Sequence, residues 1–370
     1  MRVRKAASRR HRAVRKARRS PRFFCALGAV LATLCTAPIA QESMMPEKPL
    51  VIAHRGASAY VPEHTLPAKA LAHAMGADFI EQDVVLSSDG VPVVLHDVHL
   101  EATTDVAEQF PDRGRNDGHF YAIDFTFEEL RRLRAHERRG PDGAPVFPSR
   151  FPGGPGLSQI PSLAEEIALI DGLNQSRGVT AGLYIEMKGT AFHRAEGQDL
   201  PAAVLRILKE QGGDQRVDAV FLQSFEPEAL RYLRNELKTP LPLIQLIGEN
   251  AWAEDGEVDF DYLRSDAGLD EIATYANGIG PWLMQLYAGR NEQGEPILSD
   301  LAQRAQDRGL AVHPYTFRAD QLPPGIDDFE ELHRLFFVDL QVDGVFSDFP
   351  DLSRRYIDAL FSDNADRSGS

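Results

Sequence analysis

Short apolar runs rich in β-branched residues alternate with amphipathic stretches along most of this chain, and no other feature restricts the fold as much. Candidate strands are Leu50–Ala53, Phe79–Leu86, Val91–Leu95, Leu183–Met187, Ala219–Leu222, Leu243–Ile247, Leu283–Leu286, Ala311–Tyr315 and Gly344–Ser347. Helical patterns lie between them. "TLPAKALAHAMG" offers Thr65 as N-cap, Pro67 in the first turn and Gly76 as a stop. "PAAVLRILKEQGG", "PEALRYLRNEL" and "LSDLAQRAQDRG" follow the same logic. Sustained strand–helix alternation predicts a parallel sheet. With Val91–Leu95 taken as an excursion from the second strand, eight units remain, which predicts a TIM (β/α)8 barrel.

The rhythm breaks between about 103 and 159, where Pro, Gly, Arg and Asp dominate and one helix is expected around Phe127–Ala135. That predicts an insertion after the second strand region, at the barrel end where active sites sit. The barrel domain is expected over 49–360, with a disordered tail at 361–370. The first 22 residues hold eleven Lys and Arg and no acid, and an uncharged apolar stretch, Phe23–Ile39, follows. This describes a secretory signal over 1–40, cleaved after Ala40, with a short linker at 41–48. A nucleic-acid arm does not explain the apolar run, and the run is short for a membrane span. Both cysteines, Cys25 and Cys35, lie inside the leader, so no disulfide or thiol chemistry is expected of the exported chain.

Without the eleven basic leader residues, 29 Lys and Arg stand against 55 Asp and Glu, a net charge of −26. Such acidity argues against nucleic-acid binding and against anionic membrane surfaces. Any anionic substrate then needs local positive charge, from side chains or a metal.

The first strand runs into His54-Arg55-Gly56, two polar side chains and a glycine where most strands taper into a bland turn. In "FIEQDVVL", Glu81 and Asp83 are two apart and share one strand face. Two carboxylates that close are costly unless a cation lies between them, unless the face meets water, or unless each pairs with an arginine. "GVPVVLHD" repeats the opening pattern with His96-Asp97, where Asp97 either orients an imidazole or caps a turn. Two histidines at strand ends suit a proton acceptor and a proton donor.

"GLYIEMKGT" adds Glu186 and Lys188, either a mutual salt bridge or separate site groups. Together Glu81, Asp83 and Glu186 offer an all-oxygen site for Ca²⁺ or Mg²⁺, with Arg55 and Lys188 facing an anion. No His/Cys cluster has zinc-ligand spacing, so zinc is not expected. Gln223 ends a strand and either binds substrate or serves a turn. Trp282, Tyr315 and Phe317 either wall a pocket or simply pack. Asp348 is a turn residue or a site residue, and His313 reads as a hydrogen-bonded core histidine.

"AHRGASAYVPEHTLPA", "GADFIEQDVVLSSDGVPVVLHD", "LYIEMKG", "QSF", "VHPYTFRAD" and "DGVFSDFP" together resemble the glycerophosphodiester phosphodiesterases, above all their periplasmic bacterial branch. The resemblance spans about Pro49 to Leu360. It implies a TIM barrel that hydrolyses glycerophosphodiesters to sn-glycerol 3-phosphate and an alcohol such as choline, ethanolamine or glycerol. It implies His54 and His96 as the acid–base pair, and Glu81, Asp83 and Glu186 as ligands of one divalent cation, Ca²⁺ ahead of Mg²⁺. Arg55 and Lys188 would neutralise the phosphate, beside which Gly56 would let the backbone turn, and Glu63 matches a position near the metal. Gln223 and Phe317, read from their strand ends, are expected to contact substrate. Ala102 stands where many members carry Arg.

The implied partner is a small phosphodiester in the periplasm, with no nucleic acid, no stable membrane insertion of the exported chain, and no particular oligomeric state. Two other readings are a relative acting on intact lipid and a surface binding protein that keeps the fold without catalysis. The first expects an amphipathic membrane helix, which is not visible. The second has no need of both histidines and all three carboxylates.

Overall fold

The computed structural model describes residues 48–368 apart from 153–155, 157, 215 and 253–257, with the backbone alone for 363–368. The expected signal segment and most of the linker lie outside the described residues. The strands, in chain order, are β1 (Leu50–Ala53), β2 (Phe79–Leu86), β3 (Pro92–Val94), β4 (Gly182–Met187), β5 (Val220–Ser224), β6 (Leu243–Ile247), β7 (Gly278–Pro281), β8 (Tyr287–Arg290), β9 (Pro296–Leu298), β10 (Ala311–Val312) and β11 (Gly344–Ser347).

Eight of them form one parallel sheet in the order β10-β7-β6-β5-β4-β2-β1-β11, and β3 pairs antiparallel with β2. Between β10 and β11 the seam carries single backbone hydrogen bonds: Asp343 N donates to Val312 O at 3.0 Å and Phe317 N to Phe346 O at 2.8 Å. The sheet thereby curls into the expected eight-stranded barrel, with β8 and β9 as a separate hairpin.

Alternation along each strand sorts its residues. Val51, Ala53, Leu183, Ile185, Leu222, Leu243 and Val345 belong to the outer core, beneath the helices. Ile52, Phe79, Tyr184, Ile244 and Phe346 point inward and, with Phe221, floor the barrel. Two residues further along β1, β2, β4 and β5, the inward positions become His54, Glu81, Glu186 and Gln223. A barrel interior filled in layers thus switches from carbon to polar chemistry in a single layer. His313 is part of the interior as a core histidine, its Nδ1 2.9 Å from the Tyr184 hydroxyl.

The helices cover the outside. Helix Leu66–Ala74 starts at Thr65, whose side chain accepts from Ala68 N, and stops before Gly76 at φ +81°. A capping box of Ser162 and Glu165 opens the 15-residue helix Leu163–Arg177. The helix expected around Phe127–Ala135 is a single turn, Phe127–Leu130, with a second short helix at Val106–Gln109. Leu283–Leu286, expected as a strand, is a 3₁₀ turn over Leu283–Gln285, and β7 lies just before it. The last helix runs from Pro350 to Ser368, through most of the stretch read as a disordered tail.

The insertion has a small apolar cluster in which Leu100, Val106, Phe120, Phe125 and Leu130 pack with Val85 of β2 and Val93 of β3. It is therefore anchored on the barrel rather than folded apart from it.

Candidate active site

Register brings the carboxylates together. Asp83 lies opposite Glu186, and Glu186 opposite Gln223. Glu81, Asp83 and Glu186 are 2%, 1% and 5% exposed, and each offers an oxygen within 4.8 Å of the others. Burial and the neighbouring charges of Asp83 and Glu186 push the Glu81 carboxyl well above its ordinary range. Asp83 goes the other way: burial opposes its ionisation, but the adjacent His64 imidazole, Nε2 to Oδ2 2.6 Å, holds it well below. The other oxygen of Asp83, Oδ1, is buried with no hydrogen-bond partner among the described residues. An all-oxygen, acceptor-only cluster with an orphaned buried oxygen fits a hard divalent cation.

Both histidines flank this cluster and face one cavity of about 660 Å³. His54 Nδ1 is 2.6 Å from Asp348 Oδ1, and His96 Nδ1 is 2.5 Å from Asp97 Oδ1. A carboxylate at Nδ1 keeps the proton there and leaves Nε2 for chemistry. His54 Nε2 is 3.9 Å from Glu81 Oε2. Burial, then the charge of Arg55, depresses the His54 imidazole to about 4. Burial, then Arg55 and Lys188, does the same at His96. Both rings are neutral at pH 7.

Arg55 sits at φ +58°, in the left-handed region, and its backbone N donates to Glu81 Oε2 at 2.7 Å. Its guanidinium pairs with Glu63, 3.0 Å from Oε1. Lys188 Nζ is 2.8 Å from Glu186 Oε1, so the mutual salt bridge is present after all, because a long lysine reaches back along its strand. Gln223 faces the same cavity and donates through Nε2 to Glu81 Oε1 at 3.1 Å.

One expectation fails. Phe317 does not reach the cavity: it is fully buried on the outer side against Phe336, His333 and Phe329. Its neighbours Thr316 and Arg318 take the inward positions, since side chains alternate along an extended segment. Gly56 turns at φ +89°, but an added Cβ would strike Ala68, 2.8 Å from its carbonyl carbon. The close approach it permits among the described residues is to helix Leu66–Ala74.

Other site residues were left open or missed by the sequence reading. Asp348 is the hub of an ion cluster: besides His54, it meets Arg150 at 2.8 Å and Arg318 at 2.8 Å. Arg138 and Arg150 come from the insertion, and Arg138 joins Glu63 at 2.7 Å to Asp97 at 2.6 Å. Behind Asp83, His64 meets the fully buried Lys69 at 3.1 Å, and Lys69 meets the fully buried Glu166 at 3.4 Å. On the opposite side the cavity wall is apolar and aromatic, with Phe225, Leu246, Trp252, Trp282, Tyr315 and Leu322.

Residues 54–352 match the glycerophosphoryl diester phosphodiesterase family. The chain is 36% identical over 336 residues to a glycerophosphodiester phosphodiesterase of Haemophilus influenzae, covering 86% of this chain and 92% of that one. It is 37% identical over 326 residues to a protein of the same name from Treponema pallidum, covering 83% and 91%. A crystallised Oleispira antarctica phosphodiesterase, solved in complex with sn-glycerol-3-phosphate, shares the fold at a TM-score of 0.55 and 24% identity, covering 84% and 97%. With a family match across most of its length and relatives that it covers almost end to end, the chain belongs to the glycerophosphoryl diester phosphodiesterase family.

Proposed function

We propose that this chain hydrolyses glycerophosphodiesters to an alcohol and sn-glycerol 3-phosphate, with His54 and His96 exchanging protons. The observation that carries it is the pair of imidazoles, each braced at Nδ1 by a carboxylate, on one cavity with three clustered carboxylates and two cations. The product seen in the Oleispira antarctica enzyme and the activity named for the two bacterial relatives support the same reading.

Glu81, Asp83 and Glu186 would hold one divalent cation, Ca²⁺ ahead of Mg²⁺. Once bound, it would polarise a phosphoryl oxygen and offset charge at phosphorus. The remaining steps belong to the chain. Arg55 and Lys188 draw the phosphodiester anion into the cavity and hold it between the two rings. A phosphate anion beside a neutral imidazole raises its pKa, so substrate itself favours the protonated acid. One Nε2 takes the proton of the glycerol 2-hydroxyl as that oxygen attacks phosphorus, while the other ring donates to the departing alcohol. Water then opens the cyclic phosphate with the roles reversed. The internal nucleophile contributes on the order of 7 kcal/mol through proximity.

Among head groups we favour choline, because Trp252, Trp282 and Tyr315 line the cavity and aromatic rings attract a quaternary ammonium. We assign the work to the periplasm, on the leader's pattern; among the described residues no helix is long and apolar enough to cross a membrane.

The test is release of sn-glycerol 3-phosphate from glycerophosphocholine, with EDTA and with Ca²⁺ restored. Activity is expected to vanish on chelation and return with Ca²⁺. Indifference to EDTA would remove the cation from the reading, and inactivity on every glycerophosphodiester would remove the reading itself. A 2-deoxyglycerol diester should be a very poor substrate, and its efficient turnover would exclude the cyclic route.

A further inference from the structure

The insertion carries a second group of metal-ligating side chains, away from the barrel carboxylates. His99 pairs with Tyr121 in an antiparallel bridge, and Leu100 N donates to Phe120 O at 2.9 Å. That single bridge forms a short irregular ribbon in which His99, Glu101, His119 and Tyr121 lie side by side, as their ring contacts and the Glu101–His119 pair show. The His99 and His119 rings stack with centroids 4.3 Å apart and planes at 16°. His119 Nδ1 contacts a carboxylate oxygen of Glu101. His99 Nε2 is buried with no hydrogen-bond partner among the described residues. Each of His99, Glu101 and His119 offers a ligand atom within 4.8 Å of the other two.

We propose that His99, Glu101 and His119 form a binding site for a borderline divalent cation of the Zn²⁺ class, distinct from the hard-cation site of the barrel. Two imidazoles and a carboxylate are a donor set that zinc accepts, with a fourth position open to water. Ca²⁺ and Mg²⁺ favour all-oxygen shells and are poor occupants. Tetrahedral bonds of about 2.0–2.1 Å set ligand atoms roughly 3.3 Å apart, so the His119–Glu101 pair must open slightly while the His99 nitrogen turns towards it. Side chains of Glu101 and His119 are 33% and 49% exposed and have room to make that rotation.

The competing explanation is a plain ion pair between Glu101 and His119. It accounts for two of the residues and leaves His99, with a buried and unpartnered ring nitrogen, stacked beside them for no polar purpose. A shared cation engages all three. Linear spacing hides such a site, since the ribbon alone brings His99 and His119 together. The ion would close the ribbon between Asp97, which braces His96, and Ala102, whose carbonyl accepts from Arg139 N at 2.9 Å. Its place is that of a staple on the insertion, not a part of the reaction.

The test uses the full, tag-free chain in excess Ca²⁺, titrated with Co²⁺ as a visible surrogate for Zn²⁺. One equivalent should bind with the intense visible bands of four-coordinate cobalt and be displaced by one equivalent of Zn²⁺. His99→Ala and His119→Ala should each weaken binding by about 100-fold or more, beyond the loss of an outer-shell partner. The doubly substituted Glu81→Gln, Asp83→Asn chain should keep the signal, and circular dichroism would verify the fold of each. A folded wild-type chain that takes up no stoichiometric Co²⁺ or Zn²⁺ in excess Ca²⁺ overturns the site. So does binding that survives both histidine substitutions, or that disappears with the barrel carboxylates instead.

Discussion

At the scale of single residues, the chemistry rests on how each imidazole is braced. His54 owes its orientation to Asp348, whose carboxyl is held well below its usual range: burial opposes ionisation, and Arg318, His54 and Arg150 overcome it. His54→Ala and His96→Ala should each lower kcat by about 10²–10⁴-fold with little change in Tm, the range expected for loss of a general acid or base. A near-wild-type rate in either variant would remove that ring from its role. Asp348→Asn should lower kcat by about 10²-fold or more at nearly unchanged KM, because an amide no longer holds the proton on Nδ1. It should also lower Tm, since the Arg150 side chain is only 4% exposed and loses one of two carboxylate partners. Steady-state kinetics beside thermal melts separates the two effects. Glu81, Asp83 and Glu186 were legible in the sequence because a period of two puts strand neighbours on one face. Asp348 stayed open between turn and site, because it meets His54 across 294 residues of chain and its local sequence resembles any turn. Arg138 and Arg150 were hidden for the same reason: nothing in a Gly- and Pro-rich insertion tells which arginine folds back to the barrel. Phe317 was misassigned because a quoted motif names neighbours without saying which of them points inward.

At the scale of elements, seven of the eight barrel strands were visible as apolar runs, and β7 was not. "GIGP" has the composition of a turn, yet it is a strand because its neighbours leave no room for side chains. A Cβ on Gly278 would lie 2.7 Å from Ala311 O and 2.8 Å from Ile244 Cδ1, and one on Gly280 would lie 2.5 Å from Leu246 Cδ2. Glycine in this strand marks close backbone approach, which composition alone reads as a break. Gly278→Ala should therefore destabilise by about 1–3 kcal/mol, the range for overpacking against parts that cannot move away. Gly172 gives the contrast: it lies inside helix Leu163–Arg177 and is exposed, with nothing within 4 Å of an added Cβ. Gly172→Ala should stabilise by up to about 1 kcal/mol through helix propensity. The same chemical change thus carries opposite signs in two elements, and urea melts of both variants measure it. Equal effects, or a neutral Gly278→Ala, would show that the packing of β7 between β6 and β10 is looser than its contacts indicate.

Across the whole molecule, burial has left several histidines neutral in places unconnected with the reaction. His193, His313 and His333 are each at most 1% exposed, and burial lowers each to about 4. An unfolded chain protonates them near the ordinary value of 6.5, so between pH 6.5 and 4 the unfolded state binds more protons and stability falls with pH. Each shift of that size corresponds to on the order of 3 kcal/mol lost by pH 4. Glu137 and Glu166, raised to about 7 chiefly by burial, act in the opposite direction: the folded state takes up their protons first, which stabilises it as pH falls from 7 towards 4.5. Three histidines and two glutamates do not cancel evenly, because the glutamate effect is complete near pH 4.5 while the histidine effect still grows. In saturating Ca²⁺, Tm should hold between pH 8 and 6, where the two sets nearly balance, and fall below about pH 5. His333→Gln isolates one contribution. Its amide can still reach Ser353, which lies 2.8 Å from His333 Nε2, but it carries no titrating proton. That variant should start less stable at pH 7.5 and lose less than the wild type between pH 6 and 4.5. Parallel loss in both proteins would mean that acid acts on the carboxylates alone, and that the buried imidazoles of this barrel are structural fillers with no part in its response to pH.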